Sequence, residues 1–221
     1  MGKLRRVISL SMLWVLLVPA TAHASLFSRI GQNRNSAGYR VAGYGTSASN
    51  WVVDQPVLDP DGGMLINSIY CTAGLYEDTR IEVGWHKRIG LEDDAQAFAV
   101  HIYQGQPWTY EETALGRLTD NATNYFSLVH VPGTYTYKAY INSVHVHTFP
   151  NWLGVNSSYS VIGSERMRYG DRNEASFGQL KYRPTDTSWD YWSRVMEHMS
   201  GNPDPHYFFY GDSTNKKAWV Y

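Results

Sequence analysis

Two short segments of the chain each carry a lone glutamate among small and apolar residues. The segment TRIEVGWHK contains Glu82, and the segment SVIGSERM contains Glu165 about eighty residues later. Two carboxyl groups that meet across a groove can hydrolyse a bond, because one activates a water as a carboxylate while the other donates a proton to the leaving group. Glutamates also occupy the solvated face of any β sandwich, so spacing alone does not separate a site from a polar surface.

Alternation along a strand sorts the residues around Glu82 onto two faces. Trp85 and the β-branched residues at the odd positions before it can pack into a core. Glu82, Gly84 and His86 share the other face. Gly84, and Gly163 in the second segment, are expected to leave space for a ligand beside each carboxyl group.

The run TRIEVGWHK resembles the stretch around the first catalytic glutamate of the neprosin-type glutamic peptidases, in which a strand reads Ile-Glu-small-Gly-Trp. SVIGSERM is similar to the strand that carries their second catalytic glutamate, and FPNWL and EASFGQLKY resemble further segments, so that the resemblance covers roughly residues 38–183. It implies a concanavalin-like β sandwich in which Glu82 and Glu165 cleave peptide bonds of a protein or peptide substrate at acid pH, with a water and without a metal. The substrate-binding candidates around this pair are Gly84, Trp85, His86, Trp152 and Gly163.

A second interpretation is a non-catalytic carbohydrate-binding or surface-interaction module, whose partner would be a polysaccharide. Tryptophan and tyrosine on a sandwich face can stack against sugar rings, although their commonest role in a β protein is burial. The candidates are Trp108, Tyr110, Trp152 and Tyr159.

A third interpretation is a glycoside hydrolase, because jelly-roll glucanases also use two glutamates. They place them on one strand as Glu-x-Asp-x-x-Glu, so that all the acids face the cleft. The nearest match here is EDTRIE, where Glu77 and Glu82 are five residues apart and point to opposite faces. The sequence therefore favours the peptidase.

Metal and thiol chemistry find little support in the sequence. His145 and His147 share one face of a strand in SVHVHTF, but neither a cysteine nor a nearby aspartate completes a ligand set. Cys71 is the only cysteine and lies in the apolar segment LINSIYCTAG, so it is predicted to be a small buried hydrophobe. We expect no cofactor.

The elements that must position these residues are short strands. From Gly38 onward, alternating segments are separated by turn signals such as DPDGG, GLEDD, VPGT and GDRN. The 17 Tyr, 8 Trp and 7 Phe favour pleated surfaces. The pattern predicts an all-β, antiparallel two-sheet sandwich of jelly-roll or concanavalin-like type. TSWDYWSRVMEHMSG breaks it, because its apolar residues recur at helical spacing between Ser188 and Gly201, which predicts one C-terminal helix.

Residues 1–24 have the build of a secretory signal peptide: three basic residues, an apolar run of about 12 residues and a small-residue cleavage pattern at Ala24. The run is shorter than the roughly 20 residues of a spanning helix, so we expect an exported protein without stable membrane insertion. Residues 25–37 read as a short, loosely ordered polar lead and 38–221 as a single sandwich domain. Without the signal, 16 basic residues stand against 20 acidic ones, and we expect no nucleic-acid partner.

Overall fold

Two antiparallel sheets pack face to face in the computed structural model, which describes residues 26–30, 42–52, 64–73, 79–88, 95–103, 109–151, 153–155, 157–166, 173, 175–193, 197–199, 209–212 and 217–220. In chain order the strands of these residues are β1 Leu26–Ile30, β2 Ala42–Gly43, β3 Gly45–Trp51, β4 Met64–Thr72, β5 Thr79–Arg88, β6 Ala95–Tyr103, β7 Thr109–Leu118, β8 Thr123–His130, β9 Tyr137–Ile141, β10 Val144–Phe149, β11 Ser158–Arg166, β12 Ala175–Thr185, β13 Ser188–Tyr191, β14 Glu197–Met199, β15 Phe209–Asp212 and β16 Lys217–Val220.

Each sheet has eight of these strands. The first, called the site sheet below, runs in the order β14-β1-β11-β4-β5-β6-β7, and β2 pairs with β11. The second, called the back sheet, runs in the order β10-β9-β8-β3-β12-β16-β15, and β13 pairs with β12. The all-β sandwich predicted from alternation and turn signals is therefore confirmed.

The core lies between the two sheets and takes one face of each. Trp85 of β5 is fully buried there, together with Ile69 of β4, Phe126 of β8 and Phe177 of β12. The indole Nε1 of Trp85 donates a hydrogen bond across the interface to the side-chain oxygen of Asn50 on β3. Because Trp85 is fixed on the core side, the even-numbered residues of β5 must face outward from the sandwich.

Strand β6 reverses the usual distribution of side-chain size. Its core-facing residues near the middle are Ala97 and Ala99, whereas Phe98, Val100 and Ile102 stand on the outer face. The large apolar residues outside create a second hydrophobic cluster with Ile66 of β4. The outer face of the site sheet is therefore partly apolar.

The helix expected between Ser188 and Gly201 is not present in the described part of that segment. Ser188–Tyr191 forms β13 along β12, and Glu197–Met199 forms β14 along β1. The apolar spacing suits a helix, but the Trp and Tyr residues also suit a strand, and the edges of β12 and β1 offer backbone groups that need partners. Residues 194–196 lie outside the described residues.

The start of the chain also differs from expectation. Leu26–Ile30, placed by the sequence in a loosely ordered lead, forms β1 and pairs with β11 from Leu26 opposite Arg166 to Ile30 opposite Ile162. The predicted signal segment, residues 1–24, lies outside the described residues. Among the residues that are described, no helix is long and apolar enough to cross a membrane.

Candidate active site

A cleft of about 460 Å³ opens on the outer face of the site sheet. Strands β4, β5, β6, β7 and β11 all contribute side chains to it. The lining residues are Ile66, Ser68, Arg80, Glu82, His86, Arg88, Phe98, Val100, Ile102, Tyr110, Glu112, Gly163 and Glu165.

Glu82 lies at the bottom of the cleft and is 6% exposed. Its Oε1 accepts a hydrogen bond from Nε of Arg80, two residues earlier on the same face of β5. Its Oε2 accepts a hydrogen bond of 3.1 Å from the hydroxyl of Ser68 on β4. Both oxygens are therefore held by donors, which is the environment of an ionised carboxylate in a fixed orientation.

Glu165 reaches the same cleft from β11, with β4 between it and β5. In the strand register Glu165 is opposite Ile66, which is opposite His86, so Glu165 is level with His86 and not with Glu82. Two strand spacings across and four residues along would separate the Cα atoms of Glu82 and Glu165 by roughly 16 Å in a flat sheet. Both residues line the cleft, and a diagonal of the sheet relates their positions.

A second pair of cleft residues, His86 and Glu112, is related by the same diagonal offset. Glu112 of β7 is opposite Val100, which is opposite Glu82, so His86 and Glu112 are related by the same offset of two strands and four residues. Nevertheless, Nε2 of His86 lies 3.3 Å from Oε1 of Glu112. Sheets twist, so side chains at such an offset can meet, and the line from Glu82 to Glu165 runs parallel to the line from His86 to Glu112.

Glu112 is the central residue of a charged cluster at the β7 side of the cleft. It accepts hydrogen bonds from His86 and from the hydroxyl of Tyr110, and Nη2 of Arg88 lies 3.6 Å from its Oε2. The hydrogen bond from His86 is the largest cause that lowers the pKa of Glu112 to about 2, from an ordinary value of 4.5. Burial and the hydrogen bond to Glu112 raise the pKa of Tyr110. Glu112 is therefore held as an anion through most of the acid range.

The substrate-binding candidates fall into four groups. His86 and Gly163 line the cleft. Gly84 lies on the same face of β5, but a Cβ there would meet the backbone oxygen of Asn67 at 2.2 Å, so the space beside it is already filled by β4. Trp85 is fully buried on the core side and does not reach the cleft, which corrects its assignment to substrate binding. Trp152 lies outside the described residues.

Among the described residues named for alternative ligands, Tyr110 lies at the cleft and Tyr159, His145 and His147 do not line it. Tyr110 lines it and is 47% exposed, whereas Tyr159 is half-buried on β11 and Trp108 lies outside the described residues. Nε2 of His145 is hydrogen-bonded to the carbonyl of His147 and to the Thr148 hydroxyl. Within the described ranges no group of three or more His, Cys, Asp or Glu side chains is placed to hold a metal ion.

Sequence reasoning missed three residues that shape the cleft: Arg80, Ser68 and Glu112. Arg80 could have been found, because it is two residues before Glu82 and alternation puts both on one face. Ser68 and Glu112 depend on the register of β4 and β7 against their neighbours. No local pattern in the sequence carries that information.

The comparisons with known proteins give a likeness in fold. No family model matches the sequence, and no curated protein does so. The structure of scytalido-glutamic peptidase with a transition state analog inhibitor aligns over 90% of this chain and 98% of that chain, with a TM-score of 0.59 and 9% identity. The same peptidase with a peptide-based transition state analog gives a TM-score of 0.54 at 9% identity, over 89% of this chain and 97% of that one.

A third solved structure agrees with these two. SCP-B, a member of the eqolisin family of peptidases, in a complex with the tripeptide Ala-Ile-His, aligns over 89% of this chain and 97% of that chain, with a TM-score of 0.52 and 10% identity. At this level of identity the likeness concerns the path of the backbone and not the residues of the site. The chain thus has the two-sheet sandwich fold that these glutamic peptidases also have.

Proposed function

We propose that this protein is a secreted glutamic endopeptidase that hydrolyses peptide bonds at acid pH, with Glu82 and Glu165 as its catalytic pair and water as the nucleophile. The observation that carries the proposal is that both carboxyl groups line one open cleft on a single sheet. The sandwich fold shared with glutamic peptidases supports it, as does the resemblance of TRIEVGWHK to the first catalytic segment of the neprosin type.

The environments of the two carboxyl groups suggest different roles. Arg80 and Ser68 donate to both oxygens of Glu82, which suits a carboxylate that removes a proton from the attacking water. Glu165, on the other side of β4, would be the acid that gives a proton to the leaving amine. The apolar outer residues of β6 form a floor on which substrate side chains can rest, and the reaction needs no group beyond the two acids and water.

The decisive experiment is a proteolysis assay on denatured protein substrates from pH 2 to 7. We expect cleavage in the acid range that declines toward neutrality, because one carboxyl must be protonated while its partner is ionised. Glu82→Gln and Glu165→Gln should each lower kcat by about 10²-fold or more. The kcat of the double variant should be little lower than that of the less active single variant, because the two groups act as a unit.

Glu111→Gln is a matched control, since Glu111 is a neighbouring glutamate on β7 that does not line the cleft. It should leave the rate unchanged. Wild-type protein without proteolysis at any pH from 2 to 6, or a Glu82→Gln variant as active as its parent, would remove the peptidase proposal. N-terminal sequencing of protein from the culture medium checks export, for which a start at Ser25 is expected.

A polysaccharide ligand is the second candidate, and the exposed ring of Tyr110 at the cleft favours it. In that case the protein should bind an insoluble polysaccharide and release it when Tyr110→Ala removes the ring. The peptidase proposal requires no such binding. A pull-down with the wild-type and Tyr110→Ala proteins, run beside the proteolysis assay, separates the two.

A further inference from the structure

Ser68 stands at the midpoint between the two candidate catalytic carboxyl groups. It lies on β4, the strand between β5 and β11, and is buried where it lines the cleft. Glu82 is opposite Tyr70, two residues after Ser68, and Glu165 is opposite Ile66, two residues before it. Ser68 is therefore the diagonal neighbour of both glutamates, and the two diagonals form one straight line across the sheet.

A hydrogen bond already joins Ser68 to one of the two glutamates. The Ser68 hydroxyl donates to Oε2 of Glu82 at 3.1 Å. A hydroxyl has one donor and two acceptor sites, so the oxygen of Ser68 can still accept a hydrogen bond while it donates to Glu82. Glu165 stands on its other side with the same offset, and a protonated carboxyl there is a suitable donor.

The two residues beside Ser68 in the register are both glycines. Gly84 of β5 and Gly163 of β11 are directly opposite it, so no side chain flanks the hydroxyl on either strand. A Cβ at Gly84 would come within 2.7 Å of the Ser68 Cβ. The absence of side chains at these positions keeps the line from Glu82 through Ser68 to Glu165 unobstructed.

We propose that Ser68 is a positioning residue that fixes Glu82 and relays a proton between Glu82 and Glu165 at the end of each turnover. This inference rests on the proposed peptidase function. During hydrolysis Glu82 takes one proton from water, and Glu165 gives one proton to the leaving amine. The pair is then left reversed, with Glu82 protonated and Glu165 ionised.

The relay restores the starting state without loss or gain of any proton. The Glu82 carboxyl gives its proton to the Ser68 oxygen, and the Ser68 hydroxyl gives its own proton to the Glu165 carboxylate. Ser68 is unchanged at the end, Glu82 is again a carboxylate, and Glu165 is again an acid. If the hydroxyl is missing, the proton must leave and return through solvent.

The test compares Ser68→Ala and Ser68→Thr with wild-type protein in the acid proteolysis assay. Ser68→Ala should lower kcat by about 10-fold or more while KM changes by less than about two-fold, because the substrate still binds but the pair resets slowly. Ser68→Thr keeps a hydroxyl and should keep a rate closer to that of the wild type. Ser127→Ala, which removes a buried hydroxyl from β8 of the back sheet, is the control and should have no effect.

Buffer dependence separates a relay from a merely structural role. At fixed pH and ionic strength, added formate or acetate should raise kcat of Ser68→Ala several-fold, because a small carboxylic acid can carry the proton, and should not raise kcat of the wild type. A Ser68→Ala variant with wild-type kcat, or with a reduced kcat that no buffer raises, overturns the relay alone. A wild-type protein without proteolysis removes the peptidase proposal itself, and this inference with it.

Discussion

Glu82 is held before any substrate arrives. Arg80 contacts one of its oxygens and Ser68 the other, and the Arg80 guanidinium also lies over the ring of Tyr70 at 5.6 Å from the ring centre. A carboxylate with both oxygens bound cannot swing to another rotamer without breaking a charge-assisted hydrogen bond. At the scale of single residues, the cleft therefore presents one acid in a fixed orientation.

Glu112 should contribute to stability in a pH-dependent way. Its pKa is lowered to about 2, so its ionised form stabilises the folded chain above its ordinary value near 4.5, and the contribution is lost as pH falls toward 2. Because the side chain is partly exposed, we expect Glu112→Gln to lower the free energy of unfolding by only about 1 kcal/mol at pH 5. Urea denaturation at a series of pH values checks this. A deficit that stays constant down to pH 2 would contradict it.

Cys71 should be structural and unreactive. Its side chain is fully buried between the sheets, and burial raises the pKa of its thiol to about 12. Iodoacetamide should therefore fail to label the folded protein at pH 8 and should label it in urea, as mass spectrometry can show. Cys71→Ser should cost about 1 kcal/mol and leave activity intact. Rapid labelling of the folded chain, or lost activity in a folded variant, would reverse this assignment.

At the scale of elements, β5 is the strand that builds the site. Its odd residues from Ile81 to Trp85 lie in the core, so one alternating sequence serves both purposes. The even residues that line the cleft are Arg80, Glu82, His86 and Arg88. The exception among the even positions is Gly84. It lets β4 approach so closely that Ser68 can reach Glu82.

Gly84→Ala should therefore be severely destabilising. The new Cβ would lie 2.2 Å from the backbone oxygen of Asn67 and 2.6 Å from the Cα of Ser68, so β4 must move and its ladder with β5 must loosen. We expect a loss of about 3 kcal/mol or more, measured by thermal or urea unfolding. Gly133→Ala is the comparison, because a Cβ there meets nothing within 4 Å and only its φ of +72° is unfavourable, at about 1 kcal/mol. Equal losses would show that the crowding at Gly84 is relieved at little cost.

Alternation predicted β5 and the division of its residues between core and cleft, because the period of two is local information. It did not predict β14, since a segment whose apolar residues are spaced for a helix can also lie along a strand edge when the neighbouring strand lacks a partner. Nor did it identify Ser68 and Glu112. Their place in the cleft follows from strand register, which is fixed by pairing over long distances in the sequence.

At the scale of the whole molecule, the sandwich separates the core from the cleft. The interface between the sheets holds the buried aromatic core, while the outer face of the site sheet carries a second apolar cluster and the charged residues that line the cleft with it. The turn signals and aromatic content were enough to predict this architecture. The place of β14 was not predictable in the same way, because it pairs with β1, which lies far away in the sequence.

The position of β4 in the site sheet has a consequence for folding kinetics. Strands β4 to β7 are neighbours in the sheet and follow one another in the chain, so they can pair early through short loop closures. Strand β11 pairs with the free edge of β4 only after the 85 residues between the two strands (73–157) have been brought back, which costs more entropy. Glu165 arrives with that last pairing. A nascent or partly folded chain would thus hold Glu82 without Glu165, and the proposed peptide cleavage would begin only once the sheet is complete.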